Sequence, residues 1–367
     1  MAEARLYIEE NVEPAVAVER GEALYGSLDT ACPVAMYGAT LRGDAWVLGA
    51  HQLASQVLPQ PIAYLAAERG SRQFTSASTP LLVRRASGGV AVRAGEGIVY
   101  VALGLRDRSA LMPCPKARIL NRNVRGALQG LRLAGIVAHY FGRDFLSVDA
   151  RPAVYVGWAA RSDGRVLLEF FLCDRGSCFI PTGELGYPSR SEDPFRGKQP
   201  WTLREAQVAA GARELKSGRQ LIEHIAEGYQ KGFAAAFQAT ALPADWQAQP
   251  PAAHGLGDAD AAALHWSHPI EEAIGFVSAG VALDAASKLA RVRMCGDFFA
   301  DDGCGVTLER MLLGVDPTPE HIGRAVDAAY GAAGPDVEGV RDLHSFQTAI
   351  LDAAARARSG GTATFPR

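Results

Sequence analysis

The sequence predicts an α/β (α+β) protein in which apolar strands alternate with helices. Runs of apolar and β-branched residues beside glycines, such as 98–103 and 153–158, are typical of buried strands. The segment 121–139 places Val124 and Leu128 on one face of an amphipathic helix. The two patterns together indicate a mixed chain rather than an all-helical or all-strand one.

The other elements follow in chain order. Further strands are predicted at 5–8, 34–38, 45–49, 145–149 and 166–173, and further helices at 14–24, near 61–68 and over 202–238. Pro14 fits the first turn of its helix, because proline lacks an N–H that would be unpaired there anyway. After a Gly/Pro/Ser-rich loop at 183–200, a β region starts near Trp266, and the rest is predicted to be helical.

Length and composition indicate a globular chain of about two domains. The chain has 367 residues, of which 48% are hydrophobic and 21% charged, as in ordinary soluble proteins. A proline- and glycine-rich segment at 242–257 is the best linker candidate. We expect a large domain at 1–240, a linker at 241–265, a small domain at 266–356 and a disordered tail at 357–367.

Charge and cysteine content limit the classes of partner. A formal net charge of −3 offers no polybasic surface, so we do not expect nucleic acid as a partner. No apolar stretch reaches about 18 residues and no signal-peptide core stands at the N-terminus, which predicts no membrane span and a cytoplasmic location. The six scattered cysteines predict free thiols, and their spacing predicts no metal site.

Two arginines run into two glycines at Arg84-Arg85-Ala86-Ser87-Gly88-Gly89. Glycines let the backbone approach a ligand closely and point N–H groups at it. Either arginine can hold a carboxylate or phosphate with its forked donors, and Ser87 can donate to a ligand carbonyl. A plain glycine turn between two strands explains the same residues, so both interpretations stay open at this point.

Taken together, several segments resemble lipoate–protein ligases. The matching segments are 14–19, 47–53, 84–92, 142–150, 296–299 and 308–314, in the family's order. The most specific of them is the family's Arg-Arg-x-Ser-Gly-Gly-Gly-Ala-Val signature, which begins here at Arg84 and has Val90 in place of the third glycine.

The resemblance implies a mixed central β-sheet flanked by helices, as in biotin ligases and class II synthetases, plus a small α+β C-terminal accessory domain. It implies an enzyme that activates lipoate, octanoate or a related acid with ATP and Mg as an acyl-adenylate and then forms an amide. The acceptor would be a lysine of a carrier domain, or a small-molecule amine if the ligase is redirected to another pathway. The residues expected to bind these ligands are Arg84, Arg85, Ser87, Gly88, Gly89, Ala91 and Asp149.

The sequence departs from the family where the chemistry is expected. Pro152 stands at the position of the family's catalytic lysine, and Arg151 beside it is the candidate replacement. Further losses are Ala50 for an arginine, Leu53 for an asparagine, Ala94 for a histidine, and Leu167-Leu168-Glu169 for His-His-Gly. These losses leave open a non-catalytic acyl- or nucleotide-binding partner in a carrier-protein or lipoylation assembly.

A cysteine mechanism is the third alternative. The Val-Pro-Cys-Gly motif of related octanoyl and lipoyl transferases is similar to residues 180–183, where Thr182 replaces the cysteine. Cys178 and Cys173 lie nearby and could act as nucleophiles, although a thiolate needs a cation or base beside it. A buried structural cysteine pair is the competing interpretation.

Overall fold

The structure is a computed structural model that describes residues 2–58, 81–115, 118–212, 214–233, 235–243, 261–331 and 337–360. The strands are β1 (Ala2–Val12), β2 (Val34–Leu41), β3 (Asp44–Leu48), β4 (Leu81–Arg84), β5 (Val92–Gly95), β6 (Ile98–Leu105), β7 (Ala138–Tyr140), β8 (Phe145–Val148), β9 (Arg151–Ala160), β10 (Val166–Cys173), β11 (Ala235–Ala239), β12 (His265–Trp266), β13 (Ile270–Glu271), β14 (Phe276–Leu283), β15 (Leu289–Gly296), β16 (Phe299–Ala300) and β17 (Val337–Glu338). The helices are α1 (Pro14–Ser27), α2 (Ala54–Val57), α3 (Ile119–Leu133), α4 (Leu203–Ala209), α5 (Gly218–Phe233), α6 (Asp302–Leu312), α7 (Pro319–Tyr330) and α8 (His344–Arg358).

Eight of the described strands form one mixed sheet in the order β11-β1-β2-β6-β10-β9-β8-β7. β1 runs parallel to β2 and β11, whereas the strands from β2 onward pair antiparallel with their neighbours. β10 lies between β6 and β9, and each of its residues is buried, because both faces of the sheet are covered. The predicted mixed central sheet is confirmed.

Helices cover both faces of this sheet. On one face, α3 and α5 pack against each other and against Val99 and Val101 of β6. The two helices approach closely at two glycines, since a Cβ added to Gly228 would lie 2.2 Å from the nitrogen of Gly130. On the other face, α1 packs against β6 and β10 through Leu24 and its neighbours. The prediction of flanking helices is therefore confirmed.

A small second sheet holds the glycine-rich loop. β3 runs parallel to β4 and antiparallel to β5. Because β4 ends at Arg84 and β5 begins at Val92, this sheet fixes both ends of residues 85–91, which we call the signature loop.

The C-terminal part is a separate α+β unit, as the resemblance implied. β14 pairs with β12, β13 and β15, and the helices α6 to α8 pack on this sheet around Phe298, Leu308 and Phe346. The short strands β16 and β17 also pair here. β16 lies at the end of the predicted β region, whereas β17 lies in the part that the sequence predicted to be helical. The predicted domain boundaries stay a prediction, since residues 244–260 of the linker lie outside the described residues.

Two predicted helices are shorter than expected. α3 ends at Leu133 because Gly135, with φ of 80°, takes the left-handed conformation that ends helices, and residues 138–140 form β7 instead. The segment 202–238 contains α4, α5 and β11, and Gly211, with φ of 72°, follows the end of α4.

Some predictions fall on the remaining parts of the chain. The predicted helix near 61–68 lies outside the described residues, as do residues 361–367 of the predicted tail. Residues 357 and 358, at the start of that tail, belong to α8. Within the described ranges, no helix is long and apolar enough to span a membrane.

Candidate functional site

The signature loop lies over β9 and β10, and its backbone donors are bonded within the protein. Ser87 N donates to Glu169 Oε2 at 2.8 Å, and Gly88 N donates to the carbonyl of Trp158 at 3.3 Å. Gly89 N donates to the carbonyl of Phe298 at 3.0 Å. A phosphate or carboxylate that enters this arrangement therefore finds none of these three donors free.

The buried Arg85 side chain holds the signature loop in place through hydrogen bonds. Its side chain is fully buried, and Nε donates to Ser87 Oγ at 2.9 Å. Nη1 donates to the carbonyl of Val47 at 3.0 Å, and Nη2 donates to the carbonyls of Gly88 and Val90 and to the hydroxyl of Tyr155. All of its donating nitrogens are used, so the structure places Arg85 in the framework of the loop.

Arg84 connects the signature loop to residues 49–52. Its Nη1 donates to the carbonyl of Gly49 at 3.0 Å and also to that of Gln52. The two segments are in close contact, because a Cβ added to Gly49 would lie 2.2 Å from the carbonyl oxygen of Gly89.

Glu169 supplies a buried anion beneath the loop. Its carboxylate accepts from Ser87 N and, at 2.7 Å, from the hydroxyl of Tyr100. In the sequence, Glu169 is visible only as part of the segment that replaces the family's His-His-Gly motif. An internal carboxylate thus lies where an anionic ligand would meet the backbone amide of Ser87.

The C-terminal unit covers the glycines of the signature. A Cβ added to Gly88 would lie 2.0 Å from the carbonyl oxygen of Phe298, so only glycine allows this contact. The ring of Phe298 stacks on His51 with centroids 4.6 Å apart, and the ring of Phe299 stacks on Trp158 at 6.3 Å. The predicted ligand cradle therefore serves as a joint between the two parts of the chain.

Asp297 lies at the same contact between the two parts of the chain, and its carboxyl group is buried. Its Oδ1 accepts from Gln52 Nε2 at 2.6 Å and from the hydroxyl of Tyr187 at 3.2 Å, and its Oδ2 accepts from Phe276 N at 2.9 Å. Burial raises the pKa of Asp297 from 3.8 to about 6, although these three hydrogen bonds oppose the shift.

A cavity of about 70 Å³ opens beside the signature loop, and we call it the aromatic cavity. The rings of Phe145, Phe179 and Phe195 meet edge to face, with centroids 5.5 to 6.1 Å apart. The apolar lining includes Ala91, Phe145, Phe179, Ile180, Phe195 and Phe276. Such a surface suits the apolar part of a small organic ligand.

One cation in the aromatic cavity has unused donors. Nε and Nη2 of Arg143 are buried and have no hydrogen-bond partner, although the guanidinium lies 5.7 Å from the ring centroid of Phe145. Burial is the main cause that lowers the pKa of this guanidinium, and Asp144 opposes it. Arg190 at the same cavity pairs with Glu271 at 3.4 Å. The half-buried Arg143 therefore offers two unused donors that a carboxylate can fill.

Solved lipoate–protein ligases share this architecture. LipL1 of P. falciparum, solved in complex with lipoate, aligns with a TM-score of 0.57 and 10% identity over 95% of this chain and 99% of that chain. The chain has the lipoate–protein ligase fold. The bi-partite lipoate protein ligase of Thermoplasma acidophilum, described with its E2 lipoyl domain, aligns with a TM-score of 0.50 and 14% identity over 67% of this chain and 89% of that chain.

A lipoate-protein ligase A bound with ATP gives a TM-score of 0.50 and 13% identity over 66% of this chain and 91% of that chain. No protein-family model and no curated protein matches the sequence. The recognition of a lipoate–protein ligase-like chain is thus confirmed at the level of the fold.

Within this ligase fold, Asp149 and Arg151 lie at a hairpin away from the aromatic cavity. Asp149 and Ala150, with φ of 50° and 57°, form the two-residue turn between β8 and β9. Arg151 Nε donates to the carbonyl of Gln199 at 2.9 Å, and its guanidinium lies 4.8 Å from the ring centroid of Trp201. Neither residue lines the aromatic cavity.

The loop after residue 183 brings Lys198 to the turn between β8 and β9. Lys198 Nζ donates to the carbonyl oxygen of Asp149 at 3.4 Å. The nitrogen of Trp201 donates to the carbonyl of Pro152 at 2.8 Å, which holds the loop against β9. The sequence alone does not indicate that Lys198 lies near this turn, because it is 46 positions from Pro152.

The two cysteines considered as nucleophiles lie together in the core. Cys173 and Cys178 are fully buried, with their sulfur atoms 3.4 Å apart. Burial, followed by the hydrogen bond to Cys173, raises the pKa of the Cys178 thiol well above its usual range. Because a nucleophilic cysteine needs a thiolate, this environment argues against a catalytic role for Cys178.

Among the described residues, no group of three or more His, Cys, Asp or Glu side chains is placed to hold a metal ion.

Proposed function

We propose that the protein binds a carboxylic acid in the aromatic cavity and joins it to an amine through an acyl-adenylate, as a divergent ligase. The two unused donors of Arg143 carry the proposal, in a cavity whose aromatic lining is joined by Asp144, Arg190 and Asp297. A carboxylate would accept from the free Nε and Nη2, and the apolar part of the acid would contact Phe179 and Phe195. Lipoate, octanoate or a related acid is the proposed substrate.

The proposed reaction has two steps. The carboxylate attacks the α-phosphate of ATP, which gives acyl-AMP and pyrophosphate. An amine then attacks the acyl carbon, the bond to the phosphate breaks, and the products are an amide, AMP and released protons. Since an E2 lipoyl domain accompanies the Thermoplasma acidophilum ligase, we propose a carrier-domain lysine or a small-molecule amine as the acceptor, in the cytoplasm.

In this proposal, a nucleotide binds at the signature loop only if the contact between the loop and Phe298 opens. Gly89 N would become available to a phosphate if the carbonyl of Phe298 moved away from it. Arg84, Arg85, Ser87, Gly88 and Asp149 remain proposed ligand contacts under that condition. Lys198 and Arg151 are the cations that would then neutralise the phosphates, and Mg²⁺ would arrive with the nucleotide.

A second candidate is a non-catalytic acid-binding partner. The occupied backbone donors of Ser87, Gly88 and Gly89 favour it, because the protein satisfies them without a nucleotide. Pro152 at the family's lysine position favours it as well.

The decisive experiment measures acid binding and adenylation with the same proteins. Calorimetry with octanoate and lipoate, and mass spectrometry for acyl-AMP after addition of Mg-ATP, are performed on wild type, Arg143→Ala and the exposed control Arg219→Ala. The ligase proposal expects acyl-AMP with wild type and with Arg219→Ala, and about 10- to 100-fold weaker acid binding by Arg143→Ala. Acid binding without acyl-AMP would establish the non-catalytic alternative, and no acid binding by wild type would refute both.

A further inference from the structure

One outward face of α3 carries positive charge and no acidic residue. Arginines recur here at spacings of four, three and seven residues, so they fall within one arc of about 80° and span about 21 Å. They are Arg118, which directly precedes the helix, Arg122, Arg125 and Arg132, and we call this surface the arginine face. Arg122 is half-buried and the other three are exposed. Gln129 lies in the same arc, and α3 contains no Asp or Glu.

No ion pair neutralises the arginine face within the described part of the chain, and Nε of Arg122 is buried there without a hydrogen-bond partner. The neighbouring helix α5 differs, because its exposed cations are paired one turn away. Arg219 pairs with Glu223 at 3.0 Å, and Lys231 pairs with Glu227 at 2.6 Å. The guanidinium groups of the arginine face therefore keep their donors for a group outside the described residues.

Helix stability does not account for the arginines at the start of α3. A helix N-terminus disfavours cations, because its free N–H groups carry partial positive charge, and cations three or four residues apart repel each other. Arg118 and Arg122 lie at this end, and the first turn has no acidic side chain. Glu338 of β17 accepts from Ile119 N at 3.1 Å, but within the described residues it forms no ion pair with Arg118. Only Arg132, in the last turn, suits the helix dipole.

The arginine face lies on the opposite side of the central sheet from the signature loop. α3 packs against the side that holds Val101 and Val156, whereas the loop contacts Tyr155 and Glu169 on the other side. Neighbouring residues of a strand point to opposite faces of the sheet, as Tyr155 and Val156 do here. A molecule bound to the arginine face therefore leaves the signature loop and the aromatic cavity open.

From this arrangement we infer that the arginine face docks an acidic helix of a partner protein. Carboxylates spaced three and four residues apart on such a helix would meet the forked donors of successive guanidinium groups. Single-stranded nucleic acid fits less well, because the arginine face offers no aromatic side chain on which bases stack, and the chain has a net charge of −3. A membrane surface also fits less well, because α3 buries its apolar residues against the sheet.

The test is a fluorescence anisotropy titration of the full chain against a labelled, alanine-based helical peptide of about 20 residues with Glu at every third or fourth position. The same peptide with Gln in place of Glu is the ligand control. We expect saturable binding of the Glu peptide, at least about tenfold weaker binding by the triple variant Arg118→Gln/Arg122→Gln/Arg125→Gln, and unchanged binding by the control Arg219→Gln/Lys231→Gln on α5. Equal binding of the two peptides, or full affinity in the triple variant, would overturn the inference.

Two further measurements separate docking from a role in folding and from nucleic-acid binding. The urea midpoint of the triple variant should be no lower than that of wild type, because the removed charges repel one another and oppose the helix N-terminus. A lower midpoint would assign these arginines to the fold and overturn the inference. Single-stranded RNA of about 20 nucleotides should bind more weakly than the Glu peptide, and tighter binding that the triple variant loses would overturn it as well.

Discussion

Asp297 makes the joint between the two parts of the chain sensitive to pH. Its pKa is about 6 in the folded chain, against 3.8 for an ordinary aspartate, because burial disfavours the charged form. The difference corresponds to about 3 kcal/mol. Since the folded-state pKa lies above the unfolded value, the folded state binds the proton more tightly, and the free energy of unfolding falls by this amount as pH rises from about 4 to about 6.

The Asp297→Asn variant removes this titration. The asparagine oxygen can still accept from Gln52 and Tyr187, but its amide group cannot accept from Phe276 N, which costs about 1 kcal/mol at every pH. We therefore expect the stability of the variant relative to wild type to increase by about 3 kcal/mol between about pH 4 and about pH 7.

Urea unfolding at a series of pH values measures this difference, with the m-value checked at each pH. The exposed control Asp327→Asn removes a carboxyl of the same type outside the joint and should keep a constant difference from wild type. A pH-independent difference for Asp297→Asn would refute the assignment of the titration to Asp297.

Three further predictions concern the signature loop and the core. Gly88→Ala should lower the free energy of unfolding by about 1–3 kcal/mol and increase proteolysis between the two parts of the chain, because its Cβ would meet the carbonyl of Phe298. Cys173 and Cys178 should resist alkylation until the protein unfolds, as a thiol count in native and denaturing buffer will show. Glu169→Gln removes the internal anion, so pyrophosphate binding measured by calorimetry should strengthen if the loop is an anion site, and unchanged binding would contradict that role.

Much of the fold was predictable because its signals are local. Pro14 begins α1, the apolar run of β10 is a buried strand, and glycines end α3 and α4. Hydrophobic periodicity and turn residues decide such features within a few positions. The prediction was wrong at 202–238, where Gly211 follows the end of α4 and the strand β11 follows α5, so the segment holds two helices and a strand.

The candidate site was less predictable because its contacts are distant in sequence. Glu169 lies 82 positions after Ser87, and Phe298 meets Gly89 from another part of the fold. Arg143 was visible as part of a family motif, but the absence of partners for its guanidinium is a property of the folded chain. Sequence patterns name residue types, whereas these roles depend on which donors remain unused after folding.

The signature has a structural explanation that requires no nucleotide. Arg85 binds five acceptors in the core, so its replacement would leave several of them without a donor. Gly88 is required where it faces the carbonyl of Phe298, and this packing alone accounts for the glycine. The motif that first suggests a ligase therefore cannot decide between an enzyme and a binding partner. That decision depends on the acid site at Arg143, whose unused donors have no structural role of this kind.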